Sequence, residues 1–369
     1  MLFLLLVFDA GVTAVAAQES AAAAAFREGA AAQQRGDLEQ AAEAYRRAVE
    51  IEPRFAEAHA NLGAVLARLG RYEEAVLSGE RALSINPKLT AARLNLGLAH
   101  YRAGALAPAL VAFQAAHAAE PSLLQARQLL GLVLAELGRD ADAIPHLEAS
   151  AQAAPAEAAV LFALGRAYSR RGDPRADAIA DRLAKVPEGQ ALWHQLRGLV
   201  LQRDDRHQNA LEAFEAAAAL NAGLPQLSLN VGVSRLALGD RGGARQAFAA
   251  ALERSDKDAG AHVYLAWMDE QDDRLLDARD HAERAVALEG NLAESRGLLG
   301  RILLKQGSPD PAARHLEAAV VAEPRNASWR FLLGQAYQRI GKTSDAAREF
   351  AEARRLKEQE VASERKGQQ

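Results

Sequence analysis

Residues 58–87 read AHANLGAVLARLGRYEEAVLSGERALSINP, and the same outline stands 34 residues earlier and 34 residues later. The earlier copy, 25–53, is AFREGAAAQQRGDLEQAAEAYRRAVEIEP; the later, 92–121, is ARLNLGLAHYRAGALAPALVAFQAAHAAEP. Laid together they align Gly29, Gly63 and Gly97, then Gly36, Gly70 and Gly104, then Pro53, Pro87 and Pro121. The series continues through Gly131, Gly165, Gly198, Gly232, Gly300 and Gly334. A fixed period of this length predicts a solenoid, in which each unit packs only on its neighbours and the array offers a long binding surface.

Numbering each unit from 1 to 34, ten units begin at 22, 56, 90, 124, 158, 191, 225, 259, 293 and 327; the fifth is one residue short. Position 8 is glycine in all but one, where Ala266 stands. Position 20 is almost always alanine (Ala41, Ala75, Ala109, Ala143), and so is position 27 (Ala48, Ala82, Ala116, Ala217). These small residues fall at helical spacing on two segments, so two helices can approach until their backbones nearly touch. Large side chains at position 24, such as Tyr45, Phe113, Phe214, Phe248 and Phe350, fill the remaining gaps.

Position 15 is usually glycine (Gly36, Gly70, Gly138, Gly239, Gly341), placed to end the first helix in the left-handed conformation. Proline at position 32 (Pro53, Pro87, Pro121, Pro155, Pro324) stops the second helix, because it has no N–H and clashes with the preceding turn. Pro108, Pro174, Pro309 and Pro311 fall in the first turn of a second helix, where proline is tolerated. Pro145 lies deeper and predicts a local kink.

These residues resemble the tetratricopeptide repeat family over 22 to about 360. The resemblance implies an all-α chain, a right-handed α-solenoid of about ten 34-residue helix-turn-helix repeats. It also implies a concave groove, lined by the first helix of each pair, that binds peptides or partner proteins. The domain reading is a signal peptide at 1–17, repeats 1–5 at 22–190, repeats 6–10 at 191–360 and a charged, frayed tail at 361–369. Toward the middle the pattern loosens. Asp205 and Asp273 replace the turn glycine, and RADAIADRLAKVPEG (175–189) cannot place both the small position 20 and the large position 24. Residues 174–190 are therefore either a bend between two arrays or simple decay of the repeat. The closing ARRLKEQEVASERKGQQ exchanges small residues for charge, as a terminal cap requires.

Composition narrows the function. Half of the 369 residues are hydrophobic but only 5% are aromatic, which suits close helix contacts filled by alanine. A net charge of −4 lacks the basic footprint of a nucleic-acid binder, and the absence of cysteine excludes disulfides and thiolate metal sites. The opening MLFLLLVFDAGVTAVAAQES has an apolar run from Leu2 to Phe8, followed by the candidate cleavage boxes Ala14-Val15-Ala16 and Val15-Ala16-Ala17. It reads as a secretory signal peptide, too short to span a bilayer, although no Lys or Arg precedes the run and Asp9 interrupts it. The expected location is export, to the periplasm; an uncleaved leader would leave the chain cytoplasmic. No transmembrane span is expected in the mature chain.

Motifs of chemistry are decoys. GQAYQRIGKTS (334–344) imitates a phosphate loop, but its glycines are too far apart and are already repeat positions 8 and 15. GDRGGAR (239–245) falls on an inter-helix turn. The nine histidines form no His-x-x-x-His or His-Glu-x-x-His pattern, so no metal is expected. With no nucleophile elbow and no segment outside the repeats to hold a site, no catalytic residue, enzyme activity or cofactor is expected.

In the family, positions 2, 5, 9, 12 and 13 of the first helix face the groove. Two features result. Position 13 carries Arg68, Arg102, Arg170, Arg203, Lys305 and Arg339, joined by Arg166 and Arg301 at position 9; Glu57, Glu136, Glu270 and Glu294 oppose them. That surplus suits an acidic peptide or a C-terminal carboxylate, but cations at a helix C-terminus are also favoured by the helix dipole without any ligand. The second feature is an apolar stripe of Leu192, Leu199, Leu229, Val233, Leu236, Val263 and Trp267, whose exposure would mark a partner site. Asn61, Asn95 and Asn230 share position 6 but are too sparse for a backbone-reading ladder. The expected function is thus a non-catalytic scaffold holding a peptide or partner protein in a cell-envelope assembly. The alternatives are an adaptor in polysaccharide export or secretion, or a targeting or regulatory subunit of a separate enzyme.

Overall fold

The computed structural model describes residues 8–288 and 293–367. Among these residues there are twenty α-helices and no strand. Two compact units divide the chain, one up to Arg203 and one from Asp204. The first contains the pairs α1 (Phe8–Arg35) and α2 (Leu38–Ile51), α3 (Ala56–Arg68) and α4 (Tyr72–Ile85), and α5 (Thr90–Arg102) and α6 (Leu106–Ala119). It continues with α7 (Leu124–Glu136) and α8 (Asp140–Ala153), α9 (Ala158–Arg170) and α10 (Arg175–Leu183), a 3-10 turn (Pro187–Gly189), and α11 (Gln190–Arg203). The second unit opens with α12 (His207–Leu220), followed by α13 (Leu227–Ala237) and α14 (Arg241–Arg254), and α15 (Ala259–Gln271) and α16 (Leu275–Leu288). It closes with α17 (Ala293–Lys305) and α18 (Pro309–Ala322), and α19 (Ala327–Arg339) and α20 (Thr343–Gly367).

Position 15 ends the first helix throughout. Eight glycines there hold φ between 66° (Gly172) and 87° (Gly36), and Asp205 and Asp273 adopt the same left-handed geometry at 55° and 57°. The N–H three residues beyond the helix then reaches back to a carbonyl of its last turn, as Arg71 N does to Leu66 O at 2.9 Å and Arg274 N to Asp269 O at 2.9 Å. One backbone device thus reverses the chain whether glycine or aspartate supplies it.

Position 8 and position 24 are coupled by volume. A Cβ on Gly97 would stand 2.5 Å from the Phe113 ring, one on Gly232 2.4 Å from Phe248, and one on Gly334 2.7 Å from Phe350. The exception explains itself: opposite Ala266 the large residue has become Ala282, and both are fully buried. In the fifth pair α10 is only nine residues long. Leu196 of α11 there takes the place that an aromatic holds elsewhere, 2.4 Å from a Cβ built on Gly165. That substitution settles how repeat five packs without its own large residue.

Within each unit, first helices pack on first helices (α3 on α5, α7 on α9, α9 on α11; α15 on α17, α17 on α19), and the second helices α2, α4, α6, α8, α10, α14, α16 and α18 each wedge between the first helices on either side. The first-helix layer is therefore the tighter, inner side of each unit. Helix α8 runs unbroken through Pro145, which lies in its second turn on the exposed side. Helix α20 continues to Gly367, past the point near Val361 where fraying was expected, with Arg355–Glu352 and Lys357–Glu360 pairs at helical spacing. The candidate leader falls partly on residues 1–7, outside the described residues; from Phe8 the chain is already part of α1. No helix among the described residues is long and apolar enough to cross a membrane.

Candidate functional site

Most of the basic positions are occupied with their own array. The Arg166 guanidinium, almost wholly buried, donates to Glu136 at 3.0 Å. Arg170 donates through Nε to Asp140 at 2.9 Å and through Nη2 to the Ala135 carbonyl at 2.8 Å. Arg203 lies 3.6 Å from Asp177. The second unit repeats the arrangement: Glu270, 3% exposed, receives Arg301 at 2.6 Å and Lys305 at 2.8 Å. Arg339 donates to the Leu304 carbonyl at 2.7 Å.

Except for Arg203, each of these contacts runs from one first helix to the C-terminal end of the preceding repeat's first helix or, for Asp140, to the start of the second helix that follows it. Unpaired carbonyls and the negative pole of the dipole favour a cation there. Asn95 also reaches the preceding first helix, but nearer its N-terminus, donating to the Ala60 carbonyl at 3.1 Å. Asn61 donates instead to the Tyr45 hydroxyl at 3.4 Å.

Arg68 and Arg102 differ. Both are exposed, and neither makes a hydrogen bond or ion pair among the described residues. They end α3 and α5, two first helices in direct contact. Beside Arg102, half-buried Tyr101 has its phenol pKa raised by burial, with Glu136 adding to the effect, so it stays a neutral hydroxyl. Two cations without partners and one neutral hydroxyl make this stretch of the first-helix layer receptive to carboxylates.

The apolar stripe is half covered. Leu192 packs against the core of the first unit and Leu199 is half-buried. In the second unit Leu229, Val233, Leu236 and Trp267 are half-buried against the Phe248, Leu265 and Met268 cluster, and Val263 is buried. The Arg241 guanidinium lies 5.7 Å from the centre of the Trp267 ring. The stripe is therefore a seam of packing between adjacent helices more than an open face. The large apolar side chains that do stand in solvent include Leu77, Val111, Leu276, Val321 and Phe331, which were not singled out by groove position.

The fold also assembles a polar cluster that residue spacing did not reveal. His262 Nδ1 lies 2.9 Å from His281 Nδ1. His281 Nε2 in turn lies 3.9 Å from Asp269, which is 2% exposed and held by Arg245 at 2.6 Å and by Arg274. The histidines are nineteen residues apart and on different helices, so no short motif announces them. Among the described residues no group of three or more His, Asp or Glu is placed to hold a metal ion.

Comparison with known proteins agrees with this architecture. The family model described as TPR repeat matches residues 29–70, and those described as tetratricopeptide repeat match 56–89, 230–292 and 298–360. Together they span about half of the chain, which belongs to the tetratricopeptide repeat family. No curated protein matches the sequence.

Among solved structures, Cut9 in the APC/C hetero-tetramer Cut9–Hcn1 is similar at 13% identity and a TM-score of 0.52, covering 94% of this chain and 88% of that one. MamA is similar at 20% identity and a TM-score of 0.39 over 45% of this chain and 96% of that one. Yeast Tom70 is similar at 13% identity and 0.46, over 92% of each. The likeness to Cut9 shows the repeat fold. A fold of this family supports a protein–protein interaction scaffold.

Proposed function

We propose that this protein is a non-catalytic scaffold that holds an acidic segment of a partner protein on the first-helix layer of its N-terminal unit, in an assembly of the cell envelope. The observation that carries the reading is the selective lack of partners at Arg68 and Arg102. Where the array needs a cation at this register it pairs it, as at Arg170 and Lys305. Neighbouring cations left exposed on adjacent helices suit an anionic ligand, through charge-assisted hydrogen bonds. The envelope context rests on the leader sequence, whose apolar run and small-residue boxes fit export.

Affinity capture with the full chain, followed by mass spectrometry, tests the scaffold. The double variant Arg68→Glu/Arg102→Glu should lose a partner that the unaltered chain retains, with helicity unchanged. Identical captured sets from both proteins would refute the acidic-segment reading. N-terminal sequencing of the protein from its native cell tests export: a chain starting near Gln18 is expected, and an intact Met1 in the cytosol contradicts it.

A further inference from the structure

Within the second unit, the space above a helix pair is filled by the next first helix. The pair α17–α18 shows how. Trp329 of α19 seats its indole on the bare backbone of Gly297, where a Cβ would lie 2.6 Å from the ring. The indole N–H donates to Glu323 at 3.3 Å, and the adjoining wall is Val320, 9% exposed. One repeat later, the residues at the same positions are Phe331 for Gly297, Arg354 for Val320 and Lys357 for Glu323. No further first helix follows α20 among the described residues. Phe331 is left 49% exposed beside Phe350, ring centroids 5.5 Å apart.

The corresponding place beside Phe331 is a groove of about 740 Å³ floored by Phe331, Leu332, Phe350 and Ala353 and edged by Arg301, Arg354 and Lys357. A second hollow of about 550 Å³ extends it along α20 past Arg325 to Glu360. Arg301 is neutralised by Glu270, and Lys357 faces Glu360. Arg325 and Arg354 are exposed and make no ion pair among the described residues. The apolar floor calls for a helix with a bulky apolar residue. The exchange of Val320 for Arg354, with exposed Arg325 nearby, gives a rim that attracts carboxylates where the preceding repeat has one that accepts an indole N–H.

We infer that this groove beside Phe331 is a docking slot for an amphipathic helix of another protein, with an aromatic anchor and an acidic flank, seated as α19 is seated on α17 and α18. The inference stands apart from the binding proposed at Arg68 and Arg102. Such helix-in-groove recognition draws its affinity from the buried anchor and its selectivity from the charged rim.

Fluorescence anisotropy of the full chain with two labelled helical peptides tests it. The peptides share one tryptophan-bearing apolar stripe; one is flanked by glutamates, the other by lysines. The acidic peptide should bind at least about tenfold tighter than the basic one, and Phe331→Ala and Arg354→Glu should each weaken it about tenfold. Arg68→Ala/Arg102→Ala should leave this binding unchanged, which separates the slot from the N-terminal site. Both slot positions are exposed, so circular dichroism should show the variants folded. Equal affinity for the two peptides, no binding, or binding indifferent to Phe331 and Arg354 would overturn the slot. Self-association of the chain alone that Phe331→Ala abolishes would assign it to a second copy and overturn the foreign helix.

Discussion

The Nδ1 atoms of His262 and His281 stand 2.9 Å apart, a separation that requires a single proton between them. With His262 Nε2 donating to the Asp256 carbonyl at 3.2 Å, we assign His262 Nδ1 as acceptor and His281 Nδ1–H as donor. The free Nε2 of His281 then faces Asp269, in a cluster with Arg245, Arg274 and Asp272, while Asp280 and Arg284 act from its own helix. Burial holds the His281 pKa below the usual histidine value and His262 lowers it further, outweighing the acids that raise it. His59, His146, His194 and His315 are lowered too, each chiefly by burial.

The unfolded chain therefore takes up these protons first as pH falls. Stability conferred by the neutral imidazoles is full above about pH 6.5 and declines below it. Thermal melts should move to lower temperature between about pH 7 and pH 5, less steeply in His281→Gln. A midpoint flat across that window would contradict the assignment.

Gly97 and Phe113 give a packing test. Gly97→Ala should cost about 1–3 kcal/mol by overpacking, since its Cβ would lie 2.5 Å from a ring with no exposure. Urea unfolding followed by circular dichroism would measure it. Ala266→Gly, opposite small Ala282, should leave packing intact and lose only the modest helix preference of alanine, about 1 kcal/mol. Equal losses exceeding 1 kcal/mol at both sites would break the proposed coupling.

Asp273 holds a backbone geometry that favours glycine, with φ at 57°. Asp273→Gly should stabilise the second unit by roughly 0.5–1 kcal/mol by removing left-handed strain, net of glycine's extra freedom when unfolded. A rise in melting temperature supports this; a fall would show that the Asp273 side chain contributes to the turn.

Glu270 gathers Arg301 and Lys305 while itself almost fully buried. Glu270→Ala should destabilise by about 1–3 kcal/mol, less than for a sealed ion pair because both cations can turn to water. The loss should survive in high salt better than that of Arg279→Ala, whose exposed Glu283 partner is readily screened.

The fold was legible because it rests on local rules repeated many times. Gly97 with Phe113, and glycine at each turn, announce a helix pair before any long-range contact is known, and the period supplies the rest. Even Asp205 and Asp273 were visible as departures at the turn, though the sequence does not show that aspartate would keep the glycine geometry. The fifth repeat was not legible, because Leu196 fills its gap from the following helix. Nor was the state of the basic positions. Arg68 and Arg170 occupy the same register, but Arg170 alone finds partners, in Asp140 and the Ala135 carbonyl. The histidine cluster and the Phe331 slot depend on which side chains meet across helices, something the period leaves unspecified.

The most direct measurement is hydrogen–deuterium exchange of the full chain alone and bound to the partner it captures. Binding on the first-helix layer predicts new protection in the last turns of α3 and α5, around Arg68 and Arg102, with the outer faces of α4 and α6 unchanged. Protection confined to α4 and α6, around Leu77 and Val111, would contradict the account.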